Sequence, residues 1–273
     1  MTPAWVRHLA FAMFMAALAL SLSGCASQGA ASAPGGAGQD LVTASDESDA
    51  SKRAHVRMEL ASLYFERGQM TTALDQVKLA IAADPAFGEA FNLRGLIYAN
   101  LDDERLAEES FRRALQLNAR DADTMQNLGY FLCQKKRYGE ANSLFDQALA
   151  VPRYRDAGRT LLTKGVCLAF AGQLAESEAS LLRSYEIDPT NPSVAFNLSG
   201  VLYRRGDYER ARFFIRRVNA VPAIANAQTF WLALRIENRI GNRPGVQDFG
   251  DQLRRRFPES REFAAFQRGS FDE

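Results

Sequence analysis

The residues able to do chemistry are few, and the first of them is a cysteine. Leu22-Ser23-Gly24-Cys25 closes an apolar run from Leu9 to Leu22, with Arg7 ahead of it. A positive charge, a short apolar stretch and small residues before a cysteine form a bacterial lipoprotein signal. The run is too short for a comfortable membrane span. The pattern predicts that residues 1–24 are removed as a signal peptide and that the Cys25 thiol takes a diacylglycerol. Palmitate-type acyl chains then hold the protein at about 0.8 kcal/mol per buried CH₂. Ala26, not aspartate, follows the cysteine, so the expected location is the outer membrane, lipid-anchored and facing the periplasm. A plain secretory signal with a chance cysteine is the competing reading.

Cys133 and Cys167 are the other two cysteines. In an oxidising periplasm they are candidates for a disulfide. Such a loop contributes roughly 3–4 kcal/mol in the chain-entropy model. The other reading makes them two small hydrophobes in tight slots. No CxxC is present, so redox catalysis is not expected. His55 is the one histidine beyond the signal segment, and neither HExxH nor a histidine-based zinc site is available. A GxSxG elbow, a Walker loop and a GxGxxG turn are also absent. Asp102, Asp103 and Glu104 stand at a predicted turn, where capping is their expected role. The expectation is therefore a protein that is not an enzyme, with no cofactor, metal or small-molecule substrate.

Lysine and arginine total 33 against 32 acidic residues, a net charge of +1, which offers no electrostatic case for nucleic acid. The sign is uneven, since arginines outnumber acids beyond Asn191. That bias suits either an acidic partner or solvated outer helix faces.

The elements that must carry these residues repeat. Gly95 and Gly129 lie 34 residues apart, as do Ala107 and Ala141, Phe111 and Phe145, and Ala114 and Ala148. That period with alternating small and bulky slots is the tetratricopeptide signature of paired helices. The repeats are expected near 54–87, 88–121, 122–155, 158–191, 192–225 and 226–259. A two-residue slip at Asp156 and Ala157 separates the third from the fourth, and the sixth is degenerate. Gly68, Gly172, Gly206 and Gly241 sit where first helices must end in a left-handed turn. Trp231 with Phe257, Phe263 and Phe266 is expected to seal the far end. The fold class is all-α: a right-handed superhelix of about six helix-turn-helix repeats over 54–268, with a tail at 269–273. Residues 25–53, poor in anything to bury, are expected to be a lipidated flexible tether reaching roughly 30 Å.

In such a superhelix the second, fifth, ninth, twelfth and thirteenth positions of each first helix line the concave face. Met58, Phe65, Leu96 and Tyr130 occupy those slots in the first three repeats, flanked by the polar His55, Glu66, Asn92 and Gln126; Met58, Phe65, Leu96, Tyr130 and Asn92 are the candidate partner-binding residues. Core filling is the competing reading. Leu162, Phe170, Phe196 and Tyr203 form a second apolar cluster in later repeats.

The run Gln126-Asn127-Leu128-Gly129-Tyr130-Phe131-Leu132-Cys133-Gln134 resembles the third-repeat NYGWFLCQ stretch of the type IV pilus biogenesis/stability lipoproteins, the pilotins. Pro152-x-Tyr154, Gly165-Val166-Cys167 and the tail from Trp231 to Ile236 and Leu253 to Ser260 are similar as well. Leu128-Gly129-Tyr130 departs from the usual Tyr-Gly-Trp. The resemblance implies a non-enzymatic role in bringing an outer-membrane secretin, the ring through which the pilus passes, to the membrane and into its multimer. It also points to the N-terminal repeats for that contact. The alternative is another repeat-containing lipoprotein adaptor, a β-barrel assembly subunit or a peptidoglycan-synthase regulator.

Overall fold

The computed structural model describes residues 48–271. Cys25, the signal segment and the tether up to residue 47 lie outside the described residues. Among the described residues there are thirteen helices and no strand. The first six are α1 (Asp49–Glu66), α2 (Met70–Ala83), α3 (Gly88–Asn100), α4 (Glu104–Leu117), α5 (Ala122–Gln134) and α6 (Tyr138–Ala150). Then come α7 (Ala157–Phe170), α8 (Leu174–Ile187), α9 (Pro192–Arg205), α10 (Tyr208–Asn219), α11 (Ala227–Ile240), α12 (Arg243–Arg256) and α13 (Arg261–Arg268). Each odd helix through α11 packs on the even helix after it, giving six pairs and a terminal α13.

Helix boundaries follow local chemistry. The Ser48 hydroxyl accepts from the Ser51 amide (3.1 Å), so α1 begins at Asp49 and takes in the last residues assigned to the tether. Asp103 caps α4 by accepting from the Leu106 amide (3.0 Å), as expected of the carboxylates at that turn. Gly206 closes α9 in the left-handed region with φ 83°. The corresponding turns after α3 and α5 use Asp102 (φ 59°) and Lys136 (φ 60°) instead, so the left-handed turn is kept where glycine is not. The sixth pair is shifted: Gly206 and Gly241 are 35 residues apart, and the loop from Ala220 to Asn226 takes up the extra residue.

Packing within each of the first five pairs depends on one close approach. Ala61, Gly95, Gly129, Gly165 and Ser199 are buried on the odd helices. A Cβ at Gly95 would stand 2.6 Å from the Phe111 ring, one at Gly129 2.7 Å from Phe145, and one at Gly165 2.6 Å from Leu181. The bulky partner therefore occupies the volume a side chain would take. In the fifth pair Ser199 fits because its hydroxyl donates to the Ala211 carbonyl at 2.9 Å.

Neighbouring odd helices also pack backbone against backbone, α1 with α3 through to α9 with α11, whereas the backbones of even helices stay apart and meet only through long side chains. The odd helices thus lie on the inside of the curve. At the far end α13 leans on α11 and α12, where Phe257, Phe263, Phe266 and Phe271 gather around Trp231.

From the second pair onward, charged side chains tie neighbouring pairs together. Glu108 on α4 accepts from Arg137 (2.6 Å), and Glu178 on α8 accepts from Arg205 and from Arg210 (2.8 Å). Glu237 on α11 is 1% exposed. Its carboxylate accepts from Arg212 Nε (3.0 Å), Arg216 (3.1 Å) and Asn242 (2.7 Å). Four arginines of the basic C-terminal stretch, Arg205, Arg210, Arg212 and Arg216, are therefore engaged inside the fold.

Burial pushes the Glu237 carboxyl up, but the hydrogen bonds from Arg212 and Asn242 and the charges of Arg212 and Arg216 outweigh it. The group titrates below its ordinary value. A depressed carboxyl contributes stability above its unfolded pKa and loses it as pH falls through the folded one. Stability measured by urea unfolding is expected to fall from about pH 6 to about pH 3. Glu237→Gln is expected to cost about 1–3 kcal/mol at neutral pH, because charge-assisted bonds are lost, and to flatten the pH dependence. Parallel pH profiles for the two proteins would rule out this carboxylate as a source of acid sensitivity.

Candidate functional site

The concave face carries two grooves. The first, about 530 Å³, lies at the start of the array and is lined by Met58, Phe87, Asn92, Leu93 and Leu96. Its rim is acidic, with Asp84, Glu89, Asp121 and Asp123. Asn92 accepts a hydrogen bond from Asn127 on the next odd helix (3.1 Å), which links α3 to α5 across the groove. The His55 imidazole sits edge-on to Phe87 with ring centroids 4.6 Å apart. Burial, together with the neighbouring charges of Asp121 and Asp156, raises the Asp123 carboxyl above its ordinary value. Arg159 and the Tyr154 hydroxyl pull the other way.

Of the residues expected to form one binding surface, Met58, Asn92 and Leu96 do share this groove. Phe65 and Tyr130 are not among its lining residues. Phe65 is half-buried in the core of the first pair, and Tyr130 stands 49% exposed on α5. The reason is the helical rise: Met58 and Phe65 are seven residues apart, about 10 Å along α1 at 1.5 Å per residue. Gln126, expected beside the groove, is buried and accepts from Arg159 (3.0 Å), so it serves the contact between α5 and α7.

The second groove, about 450 Å³, lies among α7, α9, α11 and α13. Phe170, Phe196 and Tyr203 line it, as does Trp231 from the shifted sixth pair. Leu162 packs instead into the core of that half. Gly200 and Arg235, which the repeat pattern did not single out, also face this groove. Gly200 was detectable in principle, as a residue without a side chain at a slot holding Leu96, Tyr130 and Val166 in earlier repeats.

Cys133 and Cys167 meet between α5 and α7, disulfide-bonded with Cα atoms 5.9 Å apart. Both are buried, in a cluster with Phe131, Leu132 and Phe145. Among the described residues no group of three or more histidine, cysteine, aspartate or glutamate side chains is placed to hold a metal ion. No helix among them is long and apolar enough to cross a membrane.

Comparison with known proteins agrees with this architecture. Tetratricopeptide-repeat family models match residues 88–121 and 122–151. Over 250 residues the chain is 26% identical to the type IV pilus assembly protein PilF of Pseudomonas aeruginosa, covering 92% of this chain and 95% of that one. The crystal structure of PilW, described as a widely conserved type IV pilus biogenesis factor, superposes with a TM-score of 0.74 at 29% identity, over 78% of this chain and 98% of PilW. The Pseudomonas aeruginosa PilF structure gives 0.73 at 25% identity, over 81% of this chain and all of that one. YrrB, a tetratricopeptide-repeat protein with an unusual peptide-binding site, shares the fold at 18% identity with a TM-score of 0.59, over 70% of this chain and 97% of YrrB. The chain has the tetratricopeptide-repeat fold and is similar along its length to the type IV pilus assembly and biogenesis factors PilF and PilW.

Proposed function

We propose that this protein is a non-enzymatic scaffold of type IV pilus biogenesis that helps the pilus secretin reach the outer membrane and multimerise there. The observation that carries the reading is similarity to a pilus assembly protein over 92% of the chain, on a repeat fold that offers open grooves. The first groove is the proposed secretin contact. Met58 and Leu96 supply apolar surface, and the acidic rim suits a segment that pairs apolar with basic side chains. Met58→Ala with Leu96→Ala is expected to keep the helical circular-dichroism spectrum while lowering secretin multimer at the outer membrane severalfold. Loss of one or two anchor side chains has that scale of effect on an interface. Normal multimer levels with the folded double variant would show that this groove is the wrong surface.

Anchoring is proposed through a lipid on Cys25, with the repeats in the periplasm and the intervening chain as a tether. Cys25→Ser is expected to escape acylation and lipoprotein processing and to leave the outer-membrane fraction. An unchanged position on a sucrose gradient would refute the anchor.

In that compartment the Cys133–Cys167 bond is proposed to persist as a structural staple. Denatured, unreduced protein from the periplasm is expected to show neither thiol free. Reduction is expected to lower the melting temperature by several degrees, the scale of about 3 kcal/mol in a domain of this size. Two titratable thiols would show that the bond is absent in the cell.

A further inference from the structure

We propose that the second groove, among the last three repeats, is a separate docking site for an acidic segment of a partner protein, one that sets an aromatic or aliphatic side chain beside an aspartate or glutamate. The apolar half of the site is open. Phe170 is 71% exposed on the concave side of α7, and Phe196 and Trp231 line the same hollow. A Cβ on Gly200 would meet nothing within 4 Å, so the middle of the groove is left free for an incoming side chain.

The polar half is positive. Two guanidiniums, Arg204 and Arg235, line the groove against a single carboxylate, Glu262. Arg204 donates to the Ala169 carbonyl (2.9 Å), which fixes its position without neutralising its charge. Arg235 lies over the Tyr203 ring, 4.8 Å from its centroid. Its Nε is buried with no hydrogen-bond acceptor. A carboxylate is the acceptor that best matches the guanidinium Arg235 presents to the groove. Arg205, Arg210, Arg212 and Arg216, by contrast, are paired with Glu178 and Glu237.

The two grooves therefore select opposite partners. The first is rimmed by carboxylates and the second by guanidiniums, so an acidic segment is repelled from one and held by the other.

The test selects random dodecapeptides, displayed on phage, against the purified full chain at low salt. Selected sequences are expected to place Asp or Glu next to an aromatic or aliphatic residue. The most enriched peptide, labelled with fluorescein, is expected to weaken with added salt. It should also bind about tenfold more weakly when its acids become amides, the loss expected of one charge-assisted pair. Arg235→Met should produce a comparable loss. Gly200→Trp, which fills the hollow where a side chain has room, should abolish binding, and Met58→Ala in the first groove should leave it unchanged. No enriched peptide, a pool without acidic bias, full binding by folded Gly200→Trp, or binding lost through Met58→Ala would each overturn the proposal. None of these outcomes bears on the secretin reading, which the Met58 and Leu96 substitutions test through multimer formation.

Discussion

The structure depends on how closely the two helices of each pair can cross. Glycine, alanine or serine on the odd helix lets a phenylalanine, leucine or isoleucine from the even helix lie directly over its backbone. Interiors packed near crystalline density leave no room for compromise at such a point. The pair is thereby held at one separation, and each pair presents the same two surfaces to its neighbours. Repetition of one crossing produces a regular array from a sequence whose individual repeats share few identical residues.

From that crossing follows the curvature. The backbones of odd helices approach their odd neighbours and those of even helices do not, so the array bends around its odd helices and exposes their outward slots on the inner face. What holds the bend differs along the chain. Between the third and fourth pairs it is the Cys133–Cys167 contact, set in apolar core. Charged groups bridge other neighbours, Glu108 with Arg137 between the second and third pairs, Glu178 with Arg205 and Arg210 between the fourth and fifth, and Glu237 with Arg212 and Arg216 between the fifth and sixth. The partly exposed Glu108–Arg137 bridge is worth about 1 kcal/mol or less. Glu237 differs because it is almost wholly buried and fully hydrogen-bonded, which orients α11 and so sets where Trp231 and Arg235 face.

The near-neutral net charge conceals two polarised surfaces. Acidic side chains collect around the first groove and guanidiniums around the second. Part of the arginine excess toward the C-terminus, Arg205, Arg210, Arg212 and Arg216, serves contacts between pairs, while Arg204 and Arg235 line the second groove. A scaffold with two grooves of opposite sign can hold two different segments at once, and this suits the proposed role in bringing membrane-protein subunits together.

Sequence alone determined the repeat, because the close crossing demands a small residue opposite a bulky one at every recurrence. That demand is visible at Gly95, Gly129, Phe111 and Phe145 without coordinates. The left-handed turns at Gly68, Gly172, Gly206 and Gly241 were legible for the same reason, since few other residues adopt that conformation readily. Met58, Asn92 and Leu96 were legible as one surface because repeat position fixes which way a helical residue faces. Phe65 and Tyr130 were not separable from them, because facing the same side does not place residues at the same height along a helix. Only the tertiary structure revealed the second groove. It needs the one-residue shift of the sixth pair, the orientation of α11 held by Glu237, and α13 lying beside Trp231, and none of these follows from a period. Nor could composition tell a paired arginine from an unpaired one, since that depends on which carboxylates the packing brings within reach.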